Sequence, residues 1–176
     1  MFDPTIFENI KVVLEGSIYD LDLQGLIQVT NRVDSVDLSR MSRLFQLEFK
    51  LSEKDRMKAV IHLKADTYDL AGEILELEGA EQTDSIGCVL TVVLYTFVED
   101  PEKCSSIEET LLKIWSYRPV ITQEVSFMYQ SGTAVSDDFK IKVTIDFHRK
   151  INESNMEDIE EILNHIVRSM DALKRI

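Results

Sequence analysis

The fold is decided by residues 45–64, FQLEFKLSEKDRMKAVIHLK. Apolar residues stand at every second position on both sides of the polar turn 52–55: Phe45, Leu47, Phe49, Leu51, Met57, Ala59, Ile61 and Leu63. A period of two is typical of a strand with one buried face. We therefore predict an antiparallel hairpin. Its register should be firm, because a slip of one residue would bring the polar side chains into the core.

Working outward, several more strands are predicted. Alternation of apolar and polar residues predicts strands over residues 10–18, 27–33 and 139–147. Residues 86–98 are apolar on both faces, which predicts a central strand covered on each side. For residues 121–129 we predict a strand whose inner face carries four apolar side chains: Ile121, Val125, Phe127 and Tyr129.

Helices are predicted at four places. A short lead-in helix is expected over residues 4–9, and residues 66–78 fit either a helix capped by Asp66 or an edge strand. Ser105 or Ser106 is expected to cap a short helix.

The last helix has the strongest pattern. Ser154 or Asn155 is expected to cap it, and its apolar residues recur at spacings of three and four: Ile159, Ile162, Leu163, Ile166, Val167, Met170 and Leu173. We thus predict one α+β domain over residues 1–176. It should hold an antiparallel sheet of about six to eight strands, a short mid-chain helix and a long C-terminal helix packed on the sheet.

The net charge of −13 disfavours nucleic acid and anionic membranes as partners, because both repel an acidic protein. The first residues show no secretory signal, and no uncharged stretch is long enough to span a bilayer. Two cysteines do not make a disulfide framework. These features predict a cytoplasmic protein.

The charge is unevenly distributed along the chain. Residues 40–64 carry seven basic and three acidic residues, whereas residues 66–109 carry twelve acidic residues and one basic residue. Either the two stretches balance each other within one fold, or they attract each other between copies of the chain.

One pair of residues could support catalysis. Asp146 and His148 lie two apart on a predicted strand, so both belong to its polar face, and a carboxylate beside an imidazole is the beginning of a general-base pair. The alternative is an ordinary exposed polar face, since the chain contains no Gly-x-Ser-x-Gly motif that would supply a nucleophile.

A basic face is predicted on the second hairpin strand, formed by Arg56, Lys58, His62 and Lys64. It could receive an acidic partner or an anion, or be a solvated sheet face. Glu157, Glu161 and His165 have the spacing of metal ligands on a helix, but the helical geometry places them on the solvent side, so no metal site is predicted. Cys88 is interpreted as a packing residue.

No catalytic, metal or cofactor site is predicted, because nucleotide and zinc motifs are absent from the sequence. The preferred function is a non-catalytic cytosolic interaction or accessory protein that binds a protein partner or forms a homodimer. The alternative is a binder of an apolar small molecule in a cavity between the sheet and the C-terminal helix. A hydrolase-type enzyme is the third hypothesis.

Overall fold

The computed structural model describes residues 5–75, 86–129, 131 and 138–176. In chain order the elements are α1 (Thr5–Leu23), β1 (Gln28–Asp37), β2 (Ser42–Lys50), β3 (Lys58–Ala65), α2 (Thr67–Ile74), β4 (Cys88–Val98), α3 (Lys103–Ile114), β5 (Val120–Ser126), β6 (Phe139–Ile151), a 3-10 helix (Glu153–Asp158) and α4 (Ile159–Leu173).

The strands form one antiparallel six-stranded sheet in the order β1-β2-β3-β4-β6-β5. The predicted hairpin is confirmed as β2 and β3, in a register that sets Leu47 opposite Ile61 and Phe49 opposite Ala59. Among the described residues β1 and β5 are the two edge strands. The predicted fold class is therefore confirmed: a mixed α+β fold with an antiparallel sheet, a short mid-chain helix and a long C-terminal helix.

The hydrophobic core lies on one face of this sheet, called here the inner face. Buried side chains of α1, α3 and α4 join those of the strands in a single cluster, in which Phe45, Leu94 and Ile166 are fully buried. The opposite, outer face carries the polar residues of the same strands. The prediction that β4 is a central strand is confirmed, since it lies between β3 and β6. On its outer face Val93 is buried, whereas Val89 is exposed.

The N-terminal region departs from the prediction most. Residues 10–18 were predicted as a strand, but they belong to the helix α1. Positions 10, 14 and 18 fit both periods, because four residues make about one helical turn as well as two strand repeats. Val12 distinguishes them: a strand would bury it beside Ile10 and Leu14, but it is 63% exposed. The predicted lead-in helix is thus the start of α1, and residue 4 lies outside the described residues.

The predicted inner face of residues 121–129 is also wrong. The strand β5 ends at Ser126, and Val125, Phe127 and Tyr129 are all exposed. Only Ile121 packs partly against the core. The physical reason is position: an edge strand has a neighbour on one side only, so a helix layer covers it less completely than it covers the central strands.

Helix starts are confirmed in one place and shifted in two. Asp66 caps α2, because its side chain accepts hydrogen bonds from the backbone N–H groups of Tyr68 and Asp69. The helix α3 begins at Lys103, before the two predicted serine caps. A 3-10 helix capped by Asn152 precedes α4, so the predicted caps lie inside that turn. Residues 76–78 of the segment predicted as a helix or an edge strand lie outside the described residues.

Candidate functional site

The predicted pair Asp146 and His148 lies on β6 and is open to solvent. The His148 backbone N–H donates to Oδ1 of Asp146 over 2.8 Å, and His148 adopts a positive φ of 49°. The imidazole Nδ1 is 3.8 Å from Oδ2 of Asp146, which is beyond hydrogen-bond distance. The carboxylate therefore stabilises a local backbone turn, and the geometry gives the imidazole no activated role.

The predicted basic residues separate into three environments. Lys58 and His62 lie together on the outer face of β3, while Lys64 lies further along the same strand and is exposed. Arg56 precedes β3 and turns aside: its guanidinium lies 4.0 Å from the centre of the Phe97 ring and pairs with Asp138. Two of the four predicted residues thus share one site.

That site is a shallow cavity of about 270 Å³ on the outer face of the sheet. Its polar lining comes from four strands: Asn31 of β1, Gln46 and Glu48 of β2, Lys58 and His62 of β3, and Lys140 of β6. Tyr95 of β4 also lines it, with the ammonium of Lys58 5.4 Å and that of Lys140 4.9 Å from the centre of its ring.

The electrostatics of this cavity, called here the outer-face cavity, are set by two titrating groups. Burial and the nearby charge of Lys142 lower the pKa of His62, so its imidazole is neutral at pH 7. Burial alone would raise the pKa of Glu48, but hydrogen bonds from Lys58 and Thr30 outweigh it and lower the pKa. Glu48 is therefore a carboxylate that already has two partners.

A second surface lies at the β5 edge of the sheet, and sequence reasoning missed it. Val120 and Val125 on the strand are exposed, as are three consecutive apolar residues after it: Phe127, Met128 and Tyr129. Met128 is 80% exposed. Three large apolar residues in a row break the period of two, and this break was the available signal. Strand order, which makes β5 an edge, is not readable from the sequence.

The two edges of the sheet differ in chemistry. The β1 edge carries a bulge between Val29 and Asn31 and several charged residues, features that discourage pairing with another strand. The β5 edge has one charged residue, Glu124, and the Lys142 ammonium lies 2.7 Å from its carboxylate on the outer face. Among the described residues, the β5 edge therefore lacks the protective features of the β1 edge.

Metal ligation was excluded from the sequence, and the described residues contain no group of three or more His, Cys, Asp or Glu placed to hold a metal ion. His165 is half-buried, not on the solvent side as predicted, with its ring 5.1 Å from that of Trp115. Its Nδ1 donates to the carbonyl oxygen of Glu161 over 2.7 Å, because a carbonyl can only accept. This nitrogen is therefore not available as a ligand.

Comparison with known proteins adds no relative: no family model, no curated protein and no solved structure matches the chain. Within the described residues, no helix combines the length and apolar character needed to cross a membrane. The function is therefore argued from the residues of this chain.

Proposed function

We propose that this chain is a non-catalytic cytoplasmic interaction protein that self-associates, with β5 of one copy pairing antiparallel to β5 of a second copy. The observation that carries the proposal is the unprotected, apolar β5 edge at one end of a sheet whose other edge is bulged and charged. Pairing would continue the sheet across a twofold axis and satisfy the backbone groups of both edges.

The residues of β5 favour one register for this pairing. A twofold axis at Gln123 sets Ile121 opposite Val125 twice on the inner face. On the outer face it sets Thr122 opposite Glu124, so no two like charges meet. An axis at Glu124 would instead oppose the two carboxylates directly. The proposed register therefore pairs apolar with apolar side chains and avoids repulsion.

The side chain of Gln123 fixes the middle of β5 to α3 on the inner face of the sheet. Its amide nitrogen donates to the carbonyl oxygen of Cys104 over 2.8 Å, while Oε1 is buried and has no hydrogen-bond partner among the described residues. This oxygen lies inside the fold and therefore offers a second copy no acceptor. The bond to Cys104 instead holds the middle of β5 against α3.

The experiment is a measurement of mass in solution by light scattering or sedimentation equilibrium. The wild-type chain of 20.3 kDa should show a mass near twice that value. Val125→Lys should give the monomer mass, because a lysine on the edge blocks strand pairing.

The matched control is Val36→Lys on the β1 edge, since Val36 is 43% and Val125 45% exposed. This variant should remain a dimer. A wild-type protein that stays at the monomer mass as its concentration rises overturns the proposal, as does a dimer that both lysine variants leave intact.

The two other hypotheses have less support. Ile61 of β3 and Ile166 and Met170 of α4 are fully buried in one cluster, and this packing does not favour a ligand cavity between sheet and helix. The exposed pair Asp146 and His148 does not favour a hydrolase. Both hypotheses stay predictions.

A further inference from the structure

We propose that the outer-face cavity binds a carboxylate group, as a site separate from the β5 edge. The polar atoms that line the cavity include more hydrogen-bond donors than acceptors that still lack a partner among the described residues.

Asn31 offers a donor group that has no acceptor among the described residues. Its side-chain oxygen accepts a hydrogen bond of 2.9 Å from the backbone N–H of Arg32. This bond orients the amide and leaves its NH2 group to donate into the cavity.

His62 offers a second donor. The amide nitrogen of Gln46 is 3.4 Å from Nδ1 of His62, and because an amide nitrogen can only donate, Nδ1 is the acceptor. In a neutral imidazole the proton then lies on Nε2, which leaves an N–H donor. The charge of Lys142 from β6 acts on this ring. Glu48, Lys58 and Lys140 line the same cavity, and the partner of His62 on β4 is the uncharged Thr91.

The charged side chains that line the cavity are Lys58, Lys140 and Glu48, so their net charge is +1 when His62 is neutral. The Lys58 ammonium pairs with Glu48, whereas Lys140 has no salt bridge with any residue that the structure describes. Glu48 contributes a carboxylate to the lining, and its two oxygens already accept hydrogen bonds from Lys58 and Thr30.

A cavity with donors in excess and a net charge of +1 matches a monoanion with two acceptor oxygens. That description fits a carboxylate better than a phosphate dianion, which Glu48 would repel. The carboxylate can belong to a small organic acid or to an acidic side chain of a partner protein, and the experiment distinguishes these sources.

The test is an NMR titration of the full chain with two probes that each carry one carboxylate, acetate and the capped peptide acetyl-Ala-Glu-Ala-amide. We expect both to shift the side-chain amide signals of Asn31 and the ring signals of His62. The pKa of His62 should rise on binding, because an adjacent anion stabilises the imidazolium form. Because the two probes carry the same charge, tighter binding of the peptide than of acetate identifies a partner side chain as the source; equal or weaker peptide binding identifies a small acid.

The variant Lys140→Gln should weaken binding of both probes by about tenfold or more. The matched control is Lys64→Gln, an exposed lysine of β3 that does not line the cavity, and it should bind like the wild type. Amide spectra of both variants verify the fold. The proposal is overturned if millimolar amounts of both probes leave the Asn31 and His62 signals unmoved, or if the two lysine variants weaken binding equally.

Discussion

The indole N–H of Trp115 donates a hydrogen bond of 3.0 Å to the hydroxyl oxygen of Ser169, and both residues are buried. Ser169 in turn donates to the carbonyl oxygen of His165 over 2.7 Å. Trp115 follows directly after α3 and Ser169 lies on α4, so this chain of hydrogen bonds joins the two helices inside the core. A polar pair in an apolar layer is tolerated only because each group has its partner.

We expect Ser169→Ala to lower the free energy of unfolding by about 1–3 kcal/mol, because the indole N–H would be left buried without an acceptor. Urea denaturation measures the change. The control is Ser106→Ala, since Ser106 is an exposed serine of α3 whose side chain makes no hydrogen bond with the described residues. Equal stability of the Ser169 variant and the wild type would show that the bond contributes nothing.

Two helical glycines should respond oppositely to alanine. An added Cβ at Gly16 of α1 meets no atom of the described residues within 4 Å, so Gly16→Ala should stabilise the protein by about 0.5–1 kcal/mol through helix propensity. At Gly72 of α2 the same atom would lie 2.5 Å from Cδ1 and 2.6 Å from Cγ1 of Ile86. Overlap with two atoms of a branched side chain outweighs the gain in propensity, and Gly72→Ala should destabilise the protein.

Thermal melts of the two glycine variants give the answer in one experiment, because each is the control for the other. A rise in the melting temperature of both would show that Ile86 moves away without cost.

The elements that were predicted correctly are those in which the strand period of two residues cannot be confused with the helical period of about 3.6 residues. Residues 45–64 alternate over eight apolar positions, and α4 repeats at three and four over fifteen residues. In α1 the apolar positions 10, 14 and 18 satisfy both periods, and only the burial of Phe7 and the exposure of Val12 distinguish them. These depend on tertiary packing, which a local pattern does not contain.

The candidate sites were partly predictable for a related reason. Alternation on β3 correctly places Lys58 and His62 on one face, but their partners come from strands distant in sequence. Lys140 of β6 reaches the same cavity only because β6 pairs with β4. The β5 edge depends on strand order in the same way, so neither surface can be assembled from neighbouring residues alone.

The free energy of unfolding at acid pH should depend on Asp34. Burial alone would raise the pKa of this carboxyl, but hydrogen bonds from Lys11 and Arg43 outweigh it and the pKa is lowered. A lowered pKa in the folded state means that the contribution to stability is complete well above the unfolded value of about 3.9 and is lost as the pH falls through the folded pKa.

We therefore expect Asp34→Asn to flatten the fall in unfolding free energy between about pH 5 and pH 2, measured by urea denaturation at a series of pH values. Asp171→Asn is the control, because Asp171 is an exposed residue of α4 with no salt bridge to the described residues. Parallel loss of stability in the wild type and the Asp34 variant as the pH falls would show that Asp34 does not set the acid dependence.

The two thiols should differ strongly in reactivity, in agreement with the interpretation of Cys88 as a packing residue. Burial raises the pKa of Cys88 to about 12, so at about pH 8 roughly one thiol in ten thousand is ionised. Burial also raises the pKa of Cys104, but that residue is only half-buried near the start of α3.

We expect a disulfide reagent to modify Cys88→Ala protein, which retains Cys104, far faster than Cys104→Ala protein, which retains Cys88. In the second variant the rate should rise with urea along the unfolding transition, because the thiol reacts only from opened molecules. Comparable rates for the two variants without urea would mean that Cys88 is accessible in the native state.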